Sequence, residues 1–506
     1  MNQETNTNPD PNDKEDPRNA VESPLPRETA ENPDSNDKTA PWYAGVTGYQ
    51  WMVLAIASAG WVFDVFEGQL FGSLMHKSLD ELLAGTGFEQ QKEMFINLGL
   101  GSFLAGGAAG GLLFGMLADR WGRKQVMAFT ILMYSLFTGL TALSQTWWHL
   151  IGLRFLVGMG VGGEWAVAAA LVAEVFPKRA RPAASGIFHA SSVLGTYMAV
   201  GVGLILPLVN WRFGFLVGVV PALLILWVRV GVKEPESWET ARKQTAEKGE
   251  QKLGRFSDLF STSTVLRNTV VATSLAIIGL ATFWGAHFRG RDIVRNCNTR
   301  DQLARPENPT QVAGVVGMLG SPVSAPVIAT TTANASPEIR TALVNQDDVN
   351  FWGNVGWFLV TTGGGIGLLT FGPLSQRIGR RSAFFWFHIG AFALATVVFF
   401  LTDSLLMLML ALPIFGFFTL AMHAGYAVYF PELYPTRLRS TGIGFCFNMA
   451  RVVVVPVLLL FAWLQNPESG LGFSLSQAML VLSVLFLVGA GLSVLGPETR
   501  GRELPE

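Results

Sequence analysis

Long apolar runs separated by short polar connections occupy most of the chain. A helix needs about 20 mostly apolar residues to cross the hydrocarbon core of a bilayer. Twelve such runs are predicted, near 47–74, 94–117, 125–144, 147–173, 184–208, 211–231, 268–288, 351–373, 382–402, 405–430, 440–464 and 474–495. A charged stretch at 233–256 divides them into six and six. The pattern predicts an all-α polytopic membrane protein with twelve transmembrane helices.

Basic residues are concentrated on one side of the predicted spans. Lys and Arg follow spans two, four, eight and ten and fill the central charged stretch, whereas most connections on the other side are nearly free of them. Connections rich in Lys and Arg stay in the cytoplasm. We therefore expect a multi-pass protein of the cell (inner or plasma) membrane with both termini cytoplasmic.

Two segments of the first half recur in the second half. GMLADRWGRK at 115–124 matches GPLSQRIGRR at 372–381, and EVFPKRARPAASG at 174–186 matches ELYPTRLRSTGIG at 432–444, at offsets of 257 and 258 residues. PESWE (235–239) has an echo in PETRG (497–501). The matches predict a duplicated six-helix unit, and hence two pseudo-symmetric bundles. Parallel repeats of this kind build one large class of transporters, with the binding site between the halves.

The predicted domains follow from this repeat. The first residues are rich in Asn, Asp, Glu and Pro, a composition that cannot bury enough apolar surface to fold. The organisation is a disordered cytoplasmic tail at 1–44, a six-helix bundle at 45–232, a cytoplasmic linker at 233–267, a second bundle at 268–496 and a cytoplasmic tail at 497–506. The second bundle contains a long extracytoplasmic insertion at 289–350, which is expected to be a partly disordered surface segment.

Composition excludes several function classes. Charged residues make up 14% of the chain, against about 25% in soluble proteins. A net charge of −1 argues against a nucleic-acid partner. The two cysteines form no disulfide framework or metal spacing. We find no nucleophile arrangement, metal cluster or cofactor loop, so we predict no enzyme activity, no metal and no cofactor. The lipid bilayer is the predicted partner of the apolar spans.

Charged residues inside predicted spans are candidates for function, and they include Asp64, Glu67 and Arg451. Asp64 and Glu67 of GWVFDVFEGQLFG (60–72) are three residues apart, so both point to one side of a helix. They either solvate a water-filled mouth or line a central cavity in which one carries a proton. Arg451, with Asn448 one turn before it, lies in span eleven. Its planar fork suits a substrate carboxylate; the alternative is an internal pair with an acid such as Asp64.

Four segments carry a resemblance to the major facilitator superfamily, over essentially all of 45–500. GMLADRWGRK resembles the superfamily's loop signature after span two, and RFLVGMGVGGEWA (154–166) resembles its span-four signature. GWVFDVFEG resembles an element of organic-acid and sialate:proton symporters, with Val65 and Glu67 replacing Gly and Asp. FNMARV (447–452) resembles the Asn-x-x-Arg of span eleven in sialate and metabolite symporters. The resemblance implies the major facilitator fold.

The resemblance also implies roles for named residues. Proton coupling falls to Asp64, Glu67 and Arg154, with Asp64 as the principal proton site and Arg154 as a mobile partner. Substrate binding falls to Arg451, Asn448, Glu164 and His189; His189 is either a hydrogen-bonding contact or a packed histidine, and His388 and His423 receive no role. A cytoplasmic gate is expected from Asp119, Arg120, Arg123, Glu174, Arg380 and Glu432. Gln376, in the place of the second Asp, predicts a weaker gate in the second half.

These residues predict a secondary active transporter, driven by the proton gradient, that carries a small organic anion with protons and works as a monomer. Two alternatives stay open. PESWE and PETRG resemble the ends of sugar porters, which favours a sugar or polyol as substrate. A transport-dead membrane sensor is the third reading.

Overall fold

The computed structural model describes residues 41–205, 210–248, 252–287, 289–304, 344–402, 404–466 and 469–506. Residues 46–506 form one compact unit, and the regular elements among the described residues are helices. The predicted tail, up to residue 40, and residues 305–343 of the predicted insertion lie outside the described residues.

The first half of the unit contains eight α-helices. They are α1 Gly48–Leu83, α2 Lys92–Trp121, α3 Arg123–Thr141, α4 Trp147–Val175, α5 Arg181–Ala190, α6 Ser192–Ile205, α7 Trp211–Val217 and α8 Leu224–Gly231. Span five is the pair α5 and α6, interrupted at Ser191. Span six is α7, a 3₁₀ turn at Val220–Leu223, and α8.

The linker and the second half follow in the same order. The helices are α9 Glu236–Lys248, α10 Ser263–Thr282, α11 Gly290–Ala304, α12 Gln346–Ile378, α13 Arg380–Thr396, α14 Leu405–Leu433, α15 Arg439–Gln465 and α16 Leu475–Leu495. A π-helical turn at Phe283–His287 extends α10, and another at Val397–Leu401 extends α13. Each of the twelve predicted spans coincides with a helix or a run of helices.

Within the described residues, nine helices are long and apolar enough to cross a membrane. The other three predicted spans are α3, whose 19 residues include several polar ones, and the two interrupted spans five and six. The interruptions shorten each helix without changing the length of the apolar run. The predicted twelve-helix architecture is confirmed.

Glycines set the closest helix crossings in both halves. A Cβ on Gly158 or Gly162 of α4, or on Gly106 of α2, would strike main-chain atoms of the facing helix. In the second half, Gly363 and Gly367 of α12 meet the main chain of α14 in the same way. Small residues allow such close approach in membrane helices. The glycines of spans two and four therefore serve close helix packing.

The turn between the second and third spans is built alike in the two halves. Gly122 and Gly379 have φ values of 111° and 98°, a backbone conformation that other residues rarely adopt. Glu234 accepts hydrogen bonds from the first two backbone N–H groups of α3, at 2.7 and 3.1 Å. Glu498 accepts those of α13, at 2.9 and 3.2 Å. Carboxylates are stabilised at helix N-termini.

This pairing corrects the register of the third repeat. Aligning PESWE with PETRG matches Glu236 to Glu498. In the structure the equivalent of Glu498 is Glu234, because it is the Glu234 carboxylate that reaches the N-terminus of α3. Burial raises the pKa of Glu234. At Glu498 burial acts in the same direction, but hydrogen bonds from the backbone N–H groups outweigh it and lower the pKa.

The linker packs on the end of α2. Trp238 donates from Nε1 to the main-chain carbonyl of Asp119 at 2.7 Å, and Arg120 donates to the carbonyl of Leu253 at 3.2 Å. Within the described ranges, Arg120 therefore contacts the linker and no acid. We call the side of the unit that carries residues 233–262 the linker face and the opposite side the far face.

Asp119 joins the two halves at the linker face. Its carboxylate accepts the backbone N–H groups of Ser440 at 3.1 Å and Thr441 at 2.8 Å, and the Thr441 hydroxyl at 2.6 Å. These are first-turn residues of α15, whose unpaired N–H groups favour an anion. Asp119 also lies 3.0 Å from Arg123, so the buried carboxylate is fully engaged.

Glu174 makes a second link between the halves. It accepts hydrogen bonds from Arg123 of its own half at 3.0 and 2.8 Å, and from Arg439 of the second half at 2.7 Å. Arg123 also donates to the carbonyl of Thr436 at 3.0 Å. All three charged side chains are fully buried. One carboxylate therefore pairs with an arginine from each half.

The equivalent contacts in the second half stay within that half. Arg380 donates to Glu432 at 3.0 and 2.8 Å, and Thr499 donates to Glu432 at 2.5 Å. Gln376 has a buried Oε1 with no hydrogen-bond partner among the described residues. Arg181, the counterpart of Arg439, donates to main-chain carbonyls of its own half. The repeat is thus symmetric in sequence, but its links across the halves run mainly through Asp119 and Glu174.

We expect Glu174→Gln to loosen the junction at the linker face. Removing one partner from a buried ion pair costs about 3–5 kcal/mol, and here the loss falls on a contact between the halves. The readout is maleimide labelling of Ser440→Cys, a buried position of the junction, in a background with Cys297 and Cys446 replaced by Ala. We expect labelling to rise at least about tenfold, which needs about 1.4 kcal/mol.

Glu432→Gln is the matched control, because it also strips the partner from a buried arginine but within one half. It should lower the melting temperature to a similar degree and leave labelling at Ser440→Cys slow. Equal labelling in the two variants would contradict the assignment of the link to Glu174.

Candidate functional site

Two buried carboxyl groups face each other where α1 meets α4. Asp64 of α1 is 2% exposed and Glu164 of α4 is fully buried. Their side chains are close enough to interact directly, yet none of the four oxygens has a hydrogen-bond partner among the described residues. Glu164 is accommodated by Gly60, one turn before Asp64, because a Cβ there would strike its carboxyl group. We call Asp64 and Glu164 the carboxyl pair.

Arg451 of α15 brings a positive charge from the second half to this pair. Asp64 is the carboxylate with which Arg451 interacts electrostatically, but no ion pair closes between them within the described residues. Its Nη1 is buried without a hydrogen-bond partner in that part of the chain. The guanidinium lies against Gly107 of α2, where any side chain would displace it.

Asn448 anchors the same stretch of α15. Its Nδ2 donates to the carbonyl of Gly162 of α4 at 3.2 Å and to that of Gly444 at 3.0 Å. The amide lies against Gly111, which leaves it room. Its Oδ1 is buried and has no partner among the residues described. Asn448 therefore fixes α15 against α4 and leaves one acceptor unused.

Glu67 has a different environment from Asp64. It forms a buried ion pair with Arg154 of α4, and the Thr138 hydroxyl donates to it at 3.1 Å. Arg154 also donates to Thr141 at 3.0 Å, and its guanidinium lies 4.6 Å from the ring centre of Phe71. The pair is enclosed within the first half.

This arrangement changes the expected partnership. The resemblance gave Arg154 to the switching carboxylate, by preference Asp64, whereas in the structure Arg154 pairs with Glu67 and Arg451 lies beside Asp64. The physical reason is the helix register. Arg154 and Glu164 are ten residues apart on α4, so Arg154 meets α1 at the level of Glu67 and Glu164 meets it at Gly60 and Asp64.

His189 of α5 is held by two tryptophans. Trp165 donates from Nε1 to its Nδ1 at 3.2 Å, and Trp61 donates from Nε1 to its carbonyl at 3.3 Å. Because Nδ1 accepts a hydrogen bond, its proton is on Nε2. The ring faces His423 of the second half, with centres 6.2 Å apart. His189 is thus a hydrogen-bonded residue at the boundary between the halves.

Sequence reasoning missed the neighbours of this group. His423 is buried, and both ring nitrogens lack a partner among the described residues. Trp165 stacks on Phe447 of α15 with ring centres 3.8 Å apart, and Arg451 lies 5.5 Å from the same Phe447 ring. An isolated histidine or aromatic residue in an apolar span has no pattern that distinguishes it from core. Gly60 carries no such signal either, since its role appears only when α4 is in place.

The site as a whole joins unpaired polar groups to an aromatic layer. Two carboxyls, one guanidinium and one imidazole lie without full hydrogen-bond complements at the meeting of α1, α4, α14 and α15. Unsatisfied buried polar groups are costly, and ionisable groups inside membrane spans mark functional sites by default. The arrangement can hold an anion at Arg451 and a proton at the carboxyl pair.

Two family models match consecutive parts of the chain. The Major Facilitator Superfamily model matches residues 90–292, and the Sugar (and other) transporter model matches residues 331–506. Together they cover parts of both halves and of the linker.

Curated relatives match over most of their length. A putative metabolite transport protein of Haemophilus influenzae is 30% identical over 415 residues, which are 79% of this chain and 86% of that protein. A probable 4-methylmuconolactone transporter of Cupriavidus pinatubonensis is 28% identical over 91% of this chain and 93% of its own. The sialic acid transporter NanX of Escherichia coli is 26% identical over 90% of this chain and 97% of its own.

A solved structure shares the fold. The proton:xylose symporter XylE superposes with a TM-score of 0.61 at 16% identity, covering 90% of this chain and 98% of that one. Identity at this level supports the architecture alone. Taken with the family models and the relatives, the helical unit and its repeated loops identify the chain as a member of the major facilitator superfamily, a multi-pass membrane transporter and not an enzyme.

Proposed function

We propose that the chain carries a small organic anion together with protons, by alternating access between the two halves. The observation that carries this proposal is the carboxyl pair beside Arg451, which is buried where the halves meet and has no hydrogen-bond partner among the residues that the structure describes. Relatives named for 4-methylmuconolactone, sialic acid and cis,cis-muconate support an organic acid as substrate.

The proton step follows from the charges of the site. Two facing carboxylates repel each other, and Arg451 offsets part of that repulsion. When a substrate carboxylate binds Arg451, the single positive charge of Arg451 must balance the substrate as well as the carboxyl pair. A proton on Asp64 or Glu164 then restores the balance, so anion and proton bind together. The two carboxyls act as one coupled site.

Glu67 and Arg154 have a positioning role in this proposal. Their ion pair closes within one half and is supported by hydrogen bonds with two threonines, although Glu67 Oε2 and Arg154 Nε have no partner among the described residues. It fixes α1 against α4, and thereby sets Asp64 opposite Glu164. Breaking a buried pair leaves an uncompensated charge, so the pair stays closed through the transport cycle.

The junction at the linker face acts as the gate in this proposal. Asp119 and Glu174 must release α15 and Arg439 before the halves separate on that side, so they favour the state closed there. We assign the linker face to the cytoplasm, the protein to the cell membrane, and the two six-helix bundles at 45–232 and 268–496 to the moving bodies of a monomer.

A sugar or polyol is the second candidate substrate. The match of residues 331–506 to the Sugar (and other) transporter model favours it. Arg451 distinguishes the two readings, because a neutral sugar has no carboxylate to pair with a guanidinium.

We expect Asp64→Asn to abolish accumulation driven by a pH gradient. In proteoliposomes, uptake of sialate, benzoate, cis,cis-muconate and nicotinate is compared with the inside alkaline. One pH unit supports about tenfold accumulation in a one-to-one symport, since it is worth about 1.36 kcal/mol. For the acid that the wild type accumulates, the variant should equilibrate at a ratio of about 1 and retain exchange.

Asp80→Asn is the control, because Asp80 lies on the same helix and is exposed, paired with Lys92. It should accumulate the acid normally. Unchanged gradient-driven uptake in Asp64→Asn would exclude Asp64 as the coupling residue.

We expect Arg451→Gln to weaken binding of the transported acid by about tenfold to a hundredfold. A hydrogen bond to a charged group is worth about 1.5–3 kcal/mol. The measurement is the KM of uptake, with Arg451→Lys as the variant that keeps the charge and loses the planar fork. Unchanged KM for every acid tested, with xylose taken up by both variants, would favour the sugar reading.

A glycine pair gives a test that leaves every polar group in place. Gly107→Ala puts a methyl group where the guanidinium of Arg451 lies, whereas a Cβ on Gly101 of the same helix meets no atom within 4 Å. Each change favours the helix by up to about 1 kcal/mol. We expect Gly107→Ala to impair acid uptake strongly and Gly101→Ala to leave it unchanged, both being well folded by size-exclusion chromatography. Normal uptake in Gly107→Ala would show that the observed position of Arg451 is not needed.

A further inference from the structure

A positively charged cavity, separate from the site around Arg451, lies at the far face. It has a volume of about 420 Å³ and is lined by the π-helical turn, the start of α11 and the end of α15. We call it the rim cavity and define it by Trp284, Arg289, Arg291, Asp292, Arg295 and Phe461. α10, which the π-helical turn extends, and α15 both begin at the linker face and reach the cavity with their other ends. The cavity is therefore at the opposite end of the molecule from the gate.

The charge of the rim cavity is only partly balanced. Arg289 pairs with Asp292 at 2.7 Å and lies 5.4 Å from the Phe461 ring centre. Arg295 donates to the neutral amide of Asn350 at 2.8 Å. Arg291 has no ion pair in the described part of the chain, and its Nε is buried without a hydrogen-bond partner there. In the part of the cavity that the structure describes, three arginines therefore share one carboxylate.

Helix geometry keeps two of these charges together. Arg291 and Arg295 are four residues apart on α11, so they lie on one face and repel each other. The stem of Arg295 packs against Gly353 of α12, which limits its retreat. Like charges at this spacing destabilise a helix. An anion between the two guanidinium groups relieves that cost and supplies the partner that Arg291 lacks.

We infer that the rim cavity binds a small carboxylate with an apolar body. The carboxylate pairs with Arg291 and Arg295, and the body packs against Trp284 and Phe461. The volume is in the range of small-molecule sites. The cavity is a collecting site that concentrates the organic anion at the far face before it reaches Arg451. This inference rests on the proposed function in one respect, that the transported compound is an organic anion.

The test measures how many molecules of radiolabelled benzoate bind per chain, with the full-length protein in phosphatidylcholine nanodiscs. We expect two sites in the wild type, one in the double variant Arg291→Gln with Arg295→Gln, and one in Arg451→Gln. In uptake, the double variant should raise the KM for the transported acid several-fold at low salt and much less at high salt, because salt screens the collecting charge. Its maximal rate should be unchanged.

Arg300→Gln is the matched control. It also removes a positive charge from α11, one where the double variant removes two, but Arg300 is nine residues from Arg291 and so on the opposite side of the helix. It should keep both benzoate sites. Unchanged stoichiometry and KM in the double variant overturn the inference.

Two further outcomes separate this inference from the proposed role of Arg451 and from the binding of a lipid phosphate. If Arg451→Gln keeps two sites while the double variant keeps one, the rim cavity stands and the proposed role of Arg451 falls. If adding phosphatidylglycerol to the nanodiscs removes only the site that depends on Arg291 and Arg295, a lipid phosphate is the preferred occupant and the collecting role is overturned.

Discussion

The structure depends on one constraint: a charge placed between membrane helices must find a partner there. The chain meets it in two ways. Arg123 and Arg439 are balanced by Asp119 and Glu174, all four side chains being fully buried, and Glu67 and Arg154 form a buried pair inside the first half. Asp64, Glu164 and Arg451 do not close into such pairs. Because a fully paired network resists change and an unpaired one is costly, the first kind holds the fold, and in the proposed function the second kind receives the ligand.

The architecture could be predicted from the sequence because its signals are local. Span length, basic loops and a repeat at a constant offset need no knowledge of packing, and the twelve-helix prediction is confirmed. Register across the repeat is less secure. The echo of PESWE in PETRG points to Glu236, whereas Glu234 reaches the helix N-terminus, since a two-residue shift in a loop leaves no trace in an apolar pattern.

The site was predictable in its members and not in its partnerships. Asp64, Glu67, Arg154, Glu164 and Arg451 stand out as charges inside apolar spans. Which acid meets which arginine depends on how α1 and α4 rotate and slide, and a shift of three residues exchanges Asp64 for Glu67. Gly60 permits this register of α1 and α4 by leaving room for Glu164, and Gly107 of α2 leaves room for Arg451 of α15. The binding and coupling roles of the five charged residues stay predictions.

The positions of the two kinds of charge explain how one fold serves both stability and transport. The closed pairs that cross between the halves lie at the linker face, and the open groups lie deeper, between α1, α4 and α15. Separation of the halves at the linker face breaks strong contacts only there. Separation at the far face leaves Asp119 and Glu174 intact as a hinge. Under the proposed function, a ligand that neutralises Arg451 and the carboxyl pair together changes the balance between the two states, while the buried pairs at the linker face are disturbed only when that face opens.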